Sequence, residues 1–117
     1  MQNYKDLKVW VNAHEFTLFV YEESKQFPKE ELYGLTNQLR RAAASIAANI
    51  AEGCGKKTNP DFAKFLNIAL GSANESEYFV LLSKDLTYLD NEKYQTLYKL
   101  INEIKAMLIA LIAKVRM

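Results

Sequence analysis

Residues 33–53 of the chain read YGLTNQLRRAAASIAANIAEG, and they are the clearest indication of the fold. Its apolar residues recur every three or four positions, as they do on one face of an α-helix. Six alanines fill much of the remaining surface and leave little side-chain bulk on several sides of that helix. Such a helix lets a neighbouring backbone come close. The stretch therefore predicts a helical bundle and an interaction protein, not an enzyme.

The composition is that of an ordinary globular domain. The chain has 117 residues, of which half are apolar and a quarter charged, and its formal net charge is +1. A single cysteine, Cys54, excludes an internal disulfide and fits a reducing compartment, so we predict a cytoplasmic location. The N-terminus lacks a signal-peptide pattern, and the most apolar segment, 106–113, is far shorter than a spanning helix. No membrane contact is predicted.

Three breaks divide the chain into four helices. They lie at Pro28, between Gly53 and Pro60, and near Asp90. We predict helices over 7–26, 29–52, 60–89 and from 91 to the C-terminus, with Asp6 and Asn59 as N-caps and Gly53 as a C-terminal stop. Because short loops join long helices, the prediction is one all-α domain over 1–117, an antiparallel up-down-up-down four-helix bundle.

Each predicted helix has an apolar stripe that we assign to the core. The four stripes are Leu7, Trp10, Val11, His14, Leu18 and Tyr21; then Leu32, Leu35, Leu39, Ala42, Ile46 and Asn49; then Phe62, Leu66, Ala69, Ala73, Ser76, Val80 and Ser83; and finally Leu97, Ile101, Ile104, Leu108, Leu111 and Val115.

Some apolar residues lie outside these stripes and are predicted to be exposed: Val9, Phe16, Phe19, Ile109 and Ile112. One four-helix core cannot cover every face. These residues, together with the alanine-rich sides of the second helix, therefore predict a homo-oligomer.

Several residues carry a resemblance to a known family: Leu7, Trp10, Phe27, Pro28, the block 33–53, and then Phe62, Phe65, Leu66, Ala69, Gly71, Ser72, Glu75 and Glu77. In these positions the chain resembles small bacterial proteins encoded in intervening sequences within 23S ribosomal RNA genes. Relatives of that family include the accessory protein of diversity-generating retroelements. The resemblance implies an up-down bundle that assembles into a homopentameric ring. The retroelement relative further implies nucleic-acid binding through a basic surface, although the present chain is nearly neutral.

Residue types suited to catalysis or metal binding are sparse. The lone histidine, His14, and the lone cysteine, Cys54, lie on different elements, so no catalytic pair is predicted. His14 is interpreted as a core or seam residue with a hydrogen-bonded ring nitrogen. Glu75 and Glu77 are two residues apart and cannot share one helix face, and no glutamate lies three residues before His14. No metal site and no cofactor are predicted.

Polar residues near the middle of the helices are interpreted as structural. Arg40 and Arg41 lie at about the same height along the bundle axis as Glu75 and Glu77 of the antiparallel third helix. We predict an Arg–Glu pair that fixes the register between helices or between subunits. The alternative is an arginine that binds phosphate. Asn49 is predicted to be a polar residue of a helix seam.

The charges are unevenly distributed along the predicted bundle. One end carries a net +4, from Lys5, Lys8, Lys56, Lys57, Lys64, Lys114 and Arg116 against Asp6, Glu52 and Asp61. The opposite end carries seven acidic against four basic residues, a net −3. In a ring with parallel axes these charges add, so one rim becomes positive.

We predict that RNA or DNA binds at the positive rim through Lys56, Lys57, Lys114 and Arg116. Two alternatives stay open. The first is a chance cluster of solvated charges, and the second is a protein-binding adaptor that contacts no nucleic acid.

Overall fold

The computed structural model describes residues 2–117 and confirms the predicted fold class. Within this range the chain forms four α-helices, which are α1 (Lys8–Ser24), α2 (Leu35–Cys54), α3 (Asn59–Asp85) and α4 (Asn91–Arg116). Each helix packs against the next, and α4 packs against α1, in a rod of 43 × 24 × 20 Å. The start of α1, the α2–α3 loop and the end of α4 meet at one end, called the basic end below. The α1–α2 and α3–α4 loops meet at the other, the acidic end.

The core faces of α3 and α4 follow the predicted stripes closely. All seven predicted core residues of α3 are buried. In α4 the stripe holds from Leu97 to Leu108, but Ile112 then takes the core position while Leu111 and Val115 are only partly buried. The reason is the helical repeat: a straight α-helix has 3.6 residues per turn, so a strict seven-residue pattern drifts off the face. The predicted exposure of Ile112 is therefore wrong.

The core face of α1 differs from the predicted one. The buried residues are Val9, Ala13, Phe16 and Val20, so the predicted exposure of Val9 and Phe16 is wrong. Within the stripe assigned to the core, Val11, Leu18 and Tyr21 are 44, 57 and 43% exposed. The physical reason is that α1 has two apolar faces, and periodicity does not show which of them meets α2. Ala13 lies on the buried face and allows a close approach of α1 to α2. The Thr17 hydroxyl lies 2.8 Å from the Ala13 carbonyl of its own helix and only 3.1 Å from the Ala43 carbonyl of α2.

The second helix begins later than predicted. Residues Lys29–Glu31 form a separate 3-10 turn, and Leu32, assigned to the core, is 48% exposed. The chain bends at Gly34, and a carboxylate oxygen of Glu31 accepts the Leu35 amide at 3.2 Å, which caps α2 at its start. The Glu31 side chain therefore marks the point where the 3-10 turn ends and α2 begins. The sequence pattern alone did not distinguish these two elements.

Other helix ends shift by one to four residues. Asp6 lies in a 3-10 turn, Tyr4–Asp6, and does not cap α1. The cap of α3 is Thr58, whose hydroxyl accepts the Asp61 amide, and not Asn59. At its other end α3 stops at Asp85, because Thr87 adopts a left-handed φ of 68° and turns the chain.

Helix α2 continues past the predicted stop at Gly53 to Cys54. Gly53 is buried at the crossing of α2 with α3, and a Cβ there would lie 3.0 Å from Phe65 Cβ and from a ring carbon of Phe62. The glycine therefore serves close packing between two helices rather than helix termination.

Candidate functional site

The structure brings the four predicted basic residues to one end of the bundle. Lys56 and Lys57 lie in the α2–α3 loop, and Lys114 and Arg116 lie in the last turn of α4. The N-terminal segment closes this end, because the Gln2 amide donates to the Cys54 carbonyl at 3.4 Å. The up-down order of the helices predicts that these elements lie at the same end. In the structure α4 packs against both α3 and α1, so the basic residues of α4 lie next to those of the α2–α3 loop.

Two adjoining clefts occupy the basic end. The smaller, of about 370 Å³, is lined by Lys56, Lys57 and Lys114 together with Gln2, Thr58 and Asn59. The larger, of about 760 Å³, runs between the start of α3 and the end of α4 and has Lys64 and Arg116 on its rim. Asn59 and Val115 line both clefts, so the two form one surface. No acidic residue among residues 2–117 lines either of them.

The charges of this surface are mostly unpaired. Lys56 lies 3.9 Å from a carboxylate oxygen of Glu52, and its ammonium group also lies 4.8 Å from the centre of the Phe65 ring. In the described part of the chain, Lys57, Lys64, Lys114 and Arg116 have no acidic partner within 4.0 Å. Such side chains can neutralise a polyanion without first breaking an internal ion pair.

Lys64 belongs to this surface but was not among the predicted binding residues. Its position one helical turn after Pro60, at the start of α3, places it in the cleft that Arg116 of α4 also lines. The sequence signal was present, because Lys64 was counted in the charge of this end. What the sequence lacked was the contact between the start of α3 and the end of α4.

The two residues considered for nucleophilic chemistry lie apart. Cys54 is buried in the core at the end of α2, and this burial raises the pKa of its thiol, so the thiolate needed for attack is disfavoured. His14 is exposed on α1 and stacks on Trp10, with 5.0 Å between ring centres. The interpretation of His14 as a hydrogen-bonded core or seam residue is therefore wrong. Residues 2–117 contain no group of three or more His, Cys, Asp or Glu side chains placed to hold a metal ion.

The predicted Arg–Glu pair does not form within the described chain. Arg40 turns toward α1, where it donates to the Ser24 hydroxyl at 2.8 Å and lies over the Tyr21 ring. Glu77 turns toward α4, where it accepts from Lys105 at 2.8 Å and from Asn102 at 2.9 Å. The reason is the direction of the side chains: Arg40 and Glu77 lie at similar heights along the bundle axis, but they face different neighbouring helices.

Arg41 and Glu75 lie nearer to each other. Both are exposed and line one groove of about 400 Å³ between α2 and α3, together with Gln38 and Ser45. They form no ion pair within 4.0 Å in residues 2–117. Asn49 lies at the same seam and donates to the carbonyl and the hydroxyl of Ser45, whose hydroxyl also accepts from Ser72 of α3 at 3.0 Å. Both hydrogen bonds of Asn49 therefore stay within α2, and the bond that joins α2 to α3 is the one from Ser72 to Ser45.

The Glu77–Lys105 pair predicts a pH effect on stability. The hydrogen bond from Lys105 lowers the pKa of Glu77 below its ordinary value of about 4.3. A lowered folded pKa means that the stabilisation is complete above that ordinary value and is lost as pH falls through the folded pKa. We expect the melting temperature of Glu77→Gln to fall less between pH 5 and pH 3 than that of the parent protein. Identical slopes in calorimetry at these pH values would contradict this.

The fold and the site together define a class of protein: an all-α four-helix bundle with a basic end. The family model of the 23S rRNA-intervening sequence protein matches residues 5–110, so this chain belongs to that family. It is also similar to a crystal structure from Bacteroides thetaiotaomicron VPI-5482, described as a protein with unknown function from the S23 ribosomal protein family. The two share 31% identity over 90% of this chain and 95% of that one, with a TM-score of 0.81. No curated protein matches the chain significantly.

No helix in residues 2–117 combines the length and the hydropathy needed to cross a bilayer.

Proposed function

We propose that this protein is a non-enzymatic homo-oligomer that binds the phosphate backbone of RNA or DNA at its basic end. The observation that carries the proposal is the pair of adjoining clefts there, which present five basic side chains and no acidic one among the described residues. Phosphate contacts of this kind need no cofactor. The buried, free thiol of Cys54 suits the reducing compartment that we infer, the cytoplasm.

Oligomer formation is supported by exposed apolar residues on two parts of the bundle. The first is the outer face of α1, made of Val11, Leu18 and Tyr21. The second is on α3 and α4, where Tyr78, Leu81 and Ile109 are 40–56% exposed. A closed ring needs two different patches on each subunit, one for each neighbour. Family resemblance supports five subunits.

The alanines of α2 adjoin the outer face of α1. Tyr21 lies against Arg40, and Thr17 lies against Ala43, so the two helices run side by side in opposite directions. Ala44, Ala48 and Ala51 follow Arg40 at helical spacing along this seam, and Ala48 is exposed. A neighbouring subunit can therefore come close to the α2 backbone while it covers the apolar residues of α1.

The nucleic-acid proposal is tested by charge reversal at the basic end. We expect the variant with Lys56, Lys57, Lys114 and Arg116 all changed to Glu to bind a 20-nucleotide RNA about a hundredfold or more weakly, because each lost phosphate contact removes counterion release. The matched control changes Lys25, Lys29, Lys84 and Lys99 to Glu. Both variants take the net charge from +1 to −7, since each loses four positive and gains four negative charges.

Fluorescence anisotropy over a series of salt concentrations measures both variants. The parent protein should lose affinity steeply as salt rises, and the control should keep most of its binding. Equal loss in the two variants would mean that net charge alone attracts the RNA. Salt-independent binding, or none by the parent protein, would refute the proposal.

The alternative function is a protein-binding adaptor that contacts no nucleic acid. It is favoured by the uncovered outer face of α1, which is apolar rather than basic. Partners that co-purify after nuclease treatment, and that are lost when Leu18 is changed to Glu while the subunit assembly persists, would support it.

A further inference from the structure

The acidic end of the bundle carries a projecting apolar tip. Tyr33 is 90% exposed and Leu32 is 48% exposed, and both directly follow Glu30 and Glu31. The bundle core makes no use of these two side chains. An uncovered tyrosine is the type of residue that anchors protein interfaces.

The tip is held rigidly. One carboxylate oxygen of Glu31 accepts the Leu35 amide at 3.2 Å, and the other accepts the Tyr88 hydroxyl at 2.9 Å. The 3-10 turn Lys29–Glu31 and the start of α2 are therefore fixed to α3–α4 loop residues. A preordered segment loses little conformational entropy when it binds.

The basic end carries a complementary cleft. Its 760 Å³ lie within the usual range of binding pockets, roughly 300–1,000 Å³. Its apolar lining includes Pro60, Ala63, Ile68 and Val115, and its polar lining consists of Asn59, Asn67, Lys64 and Arg116. The walls contain no aromatic side chain on which a nucleobase would stack. The cleft thus suits aliphatic and aromatic side chains of a protein segment that carries negative charge.

We propose that the tip of one copy of this chain docks in the cleft of a second copy. Tyr33 and Leu32 enter the apolar cleft, and Glu30 faces Lys64 and Arg116. The tip contains one basic residue, Lys29, which precedes Tyr33 by four residues in the sequence. Charge complementarity between a −3 end and a +4 end selects a second copy as the occupant.

The contact joins opposite ends, so it is head-to-tail and does not close on itself. It differs from the side-to-side contacts of a ring, and it would stack one assembly on the next. Where a ring presents several tips to several clefts, the joint affinity exceeds that of one pair. The inference goes beyond the proposed function. Because the tip would occupy the larger of the two clefts assigned to nucleic acid and would use the same Arg116, the two occupants compete for this cleft.

Complementary variants of the full chain test the docking directly. Ile68→Glu keeps the tip and loses the cleft, whereas Tyr33→Ser keeps the cleft and loses the tip. We expect labelled Ile68→Glu to bind Tyr33→Ser roughly thirtyfold more tightly than either variant binds itself, as for a restored hot spot. Equal affinities of the mixed and the self pairs would overturn the proposal.

Sedimentation velocity tests the same contact between whole chains. At low salt the parent protein should form species larger than its basic assembly unit, and these should dissociate at high salt. Tyr33→Ser and Ile68→Glu should each abolish the larger species and leave the basic unit intact, whereas Tyr98→Ser, which removes another exposed tyrosine, should not. Larger species that persist in Tyr33→Ser would overturn the proposal. Loss of the ring itself would instead be seen with Leu18→Glu.

Discussion

The variant Phe16→Ala is expected to lose about 3–5 kcal/mol of unfolding free energy. Phe16 is completely buried where α1 meets the rest of the core, and its ring is among the largest fully buried side chains. Truncation removes its transfer free energy and leaves a cavity that α1 and its neighbours fill only in part. Urea denaturation followed by circular dichroism measures the loss.

Phe19→Ala is the matched control. It removes the same ring from the same helix, but Phe19 is 38% exposed, so we expect a loss of less than about 1 kcal/mol. Both variants must be compared at one protein concentration, because assembly contributes to stability. If Phe16→Ala leaves no folded protein, Phe16→Leu should still be less stable than Phe19→Leu. Equal losses at the two positions would mean that α1 packs through a different face.

The variant Leu18→Glu is expected to convert the assembly to single subunits. Leu18 is 57% exposed near the centre of the outer face of α1, so the bundle itself tolerates a charge there. In the proposed assembly the same carboxylate would be buried without a partner, which is strongly unfavourable. Light scattering should then give the subunit mass of 13.4 kDa, whereas a pentamer has five times that mass, 67 kDa.

Two further variants define the surface involved. Ala48→Glu, on the adjoining seam of α2, should dissociate the assembly as well. Leu86→Glu introduces the same charge at an exposed leucine in the turn after α3, and it should keep the assembly intact. Circular dichroism should show the same helix content in all three. A parent protein of 13.4 kDa, or an unchanged mass for Leu18→Glu, would contradict the predicted interface.

The basic end was predictable because its definition needs only chain order. In any up-down bundle the α2–α3 loop and the end of α4 meet, so Lys56, Lys57 and Lys114 had to be neighbours once four helices were recognised. Their joint cleft, the participation of Lys64 and the apolar wall at Ile68 depend on how deeply α4 packs against α3. Loop-to-loop proximity follows from topology, but the shape of a cleft follows from packing.

The partners of the central polar residues were not predictable in the same way. Arg40 and Glu77 were correctly placed at similar depth, yet Arg40 binds Ser24 of α1 and Glu77 binds Lys105 of α4. Depth along a helix follows from residue number. Direction around the helix axis depends on the rotation of each helix in the bundle, and a shift of one residue turns a side chain by about 100°.

The helical class, the number of helices, the core of α3 and most of the cores of α2 and α4 follow from the sequence, because in these helices the main apolar stripe of helical period is the one that meets the core. The orientation of α1 follows only from the packing of the bundle, because α1 has two apolar faces. The alanines of α2 let α1 come close, and the face with Ala13 and Phe16 fits this narrow space, while the face with Val11 and Leu18 remains outside. Which face of α1 is buried therefore depends on the fit between α1 and α2, and the sequence pattern of α1 alone does not predict it.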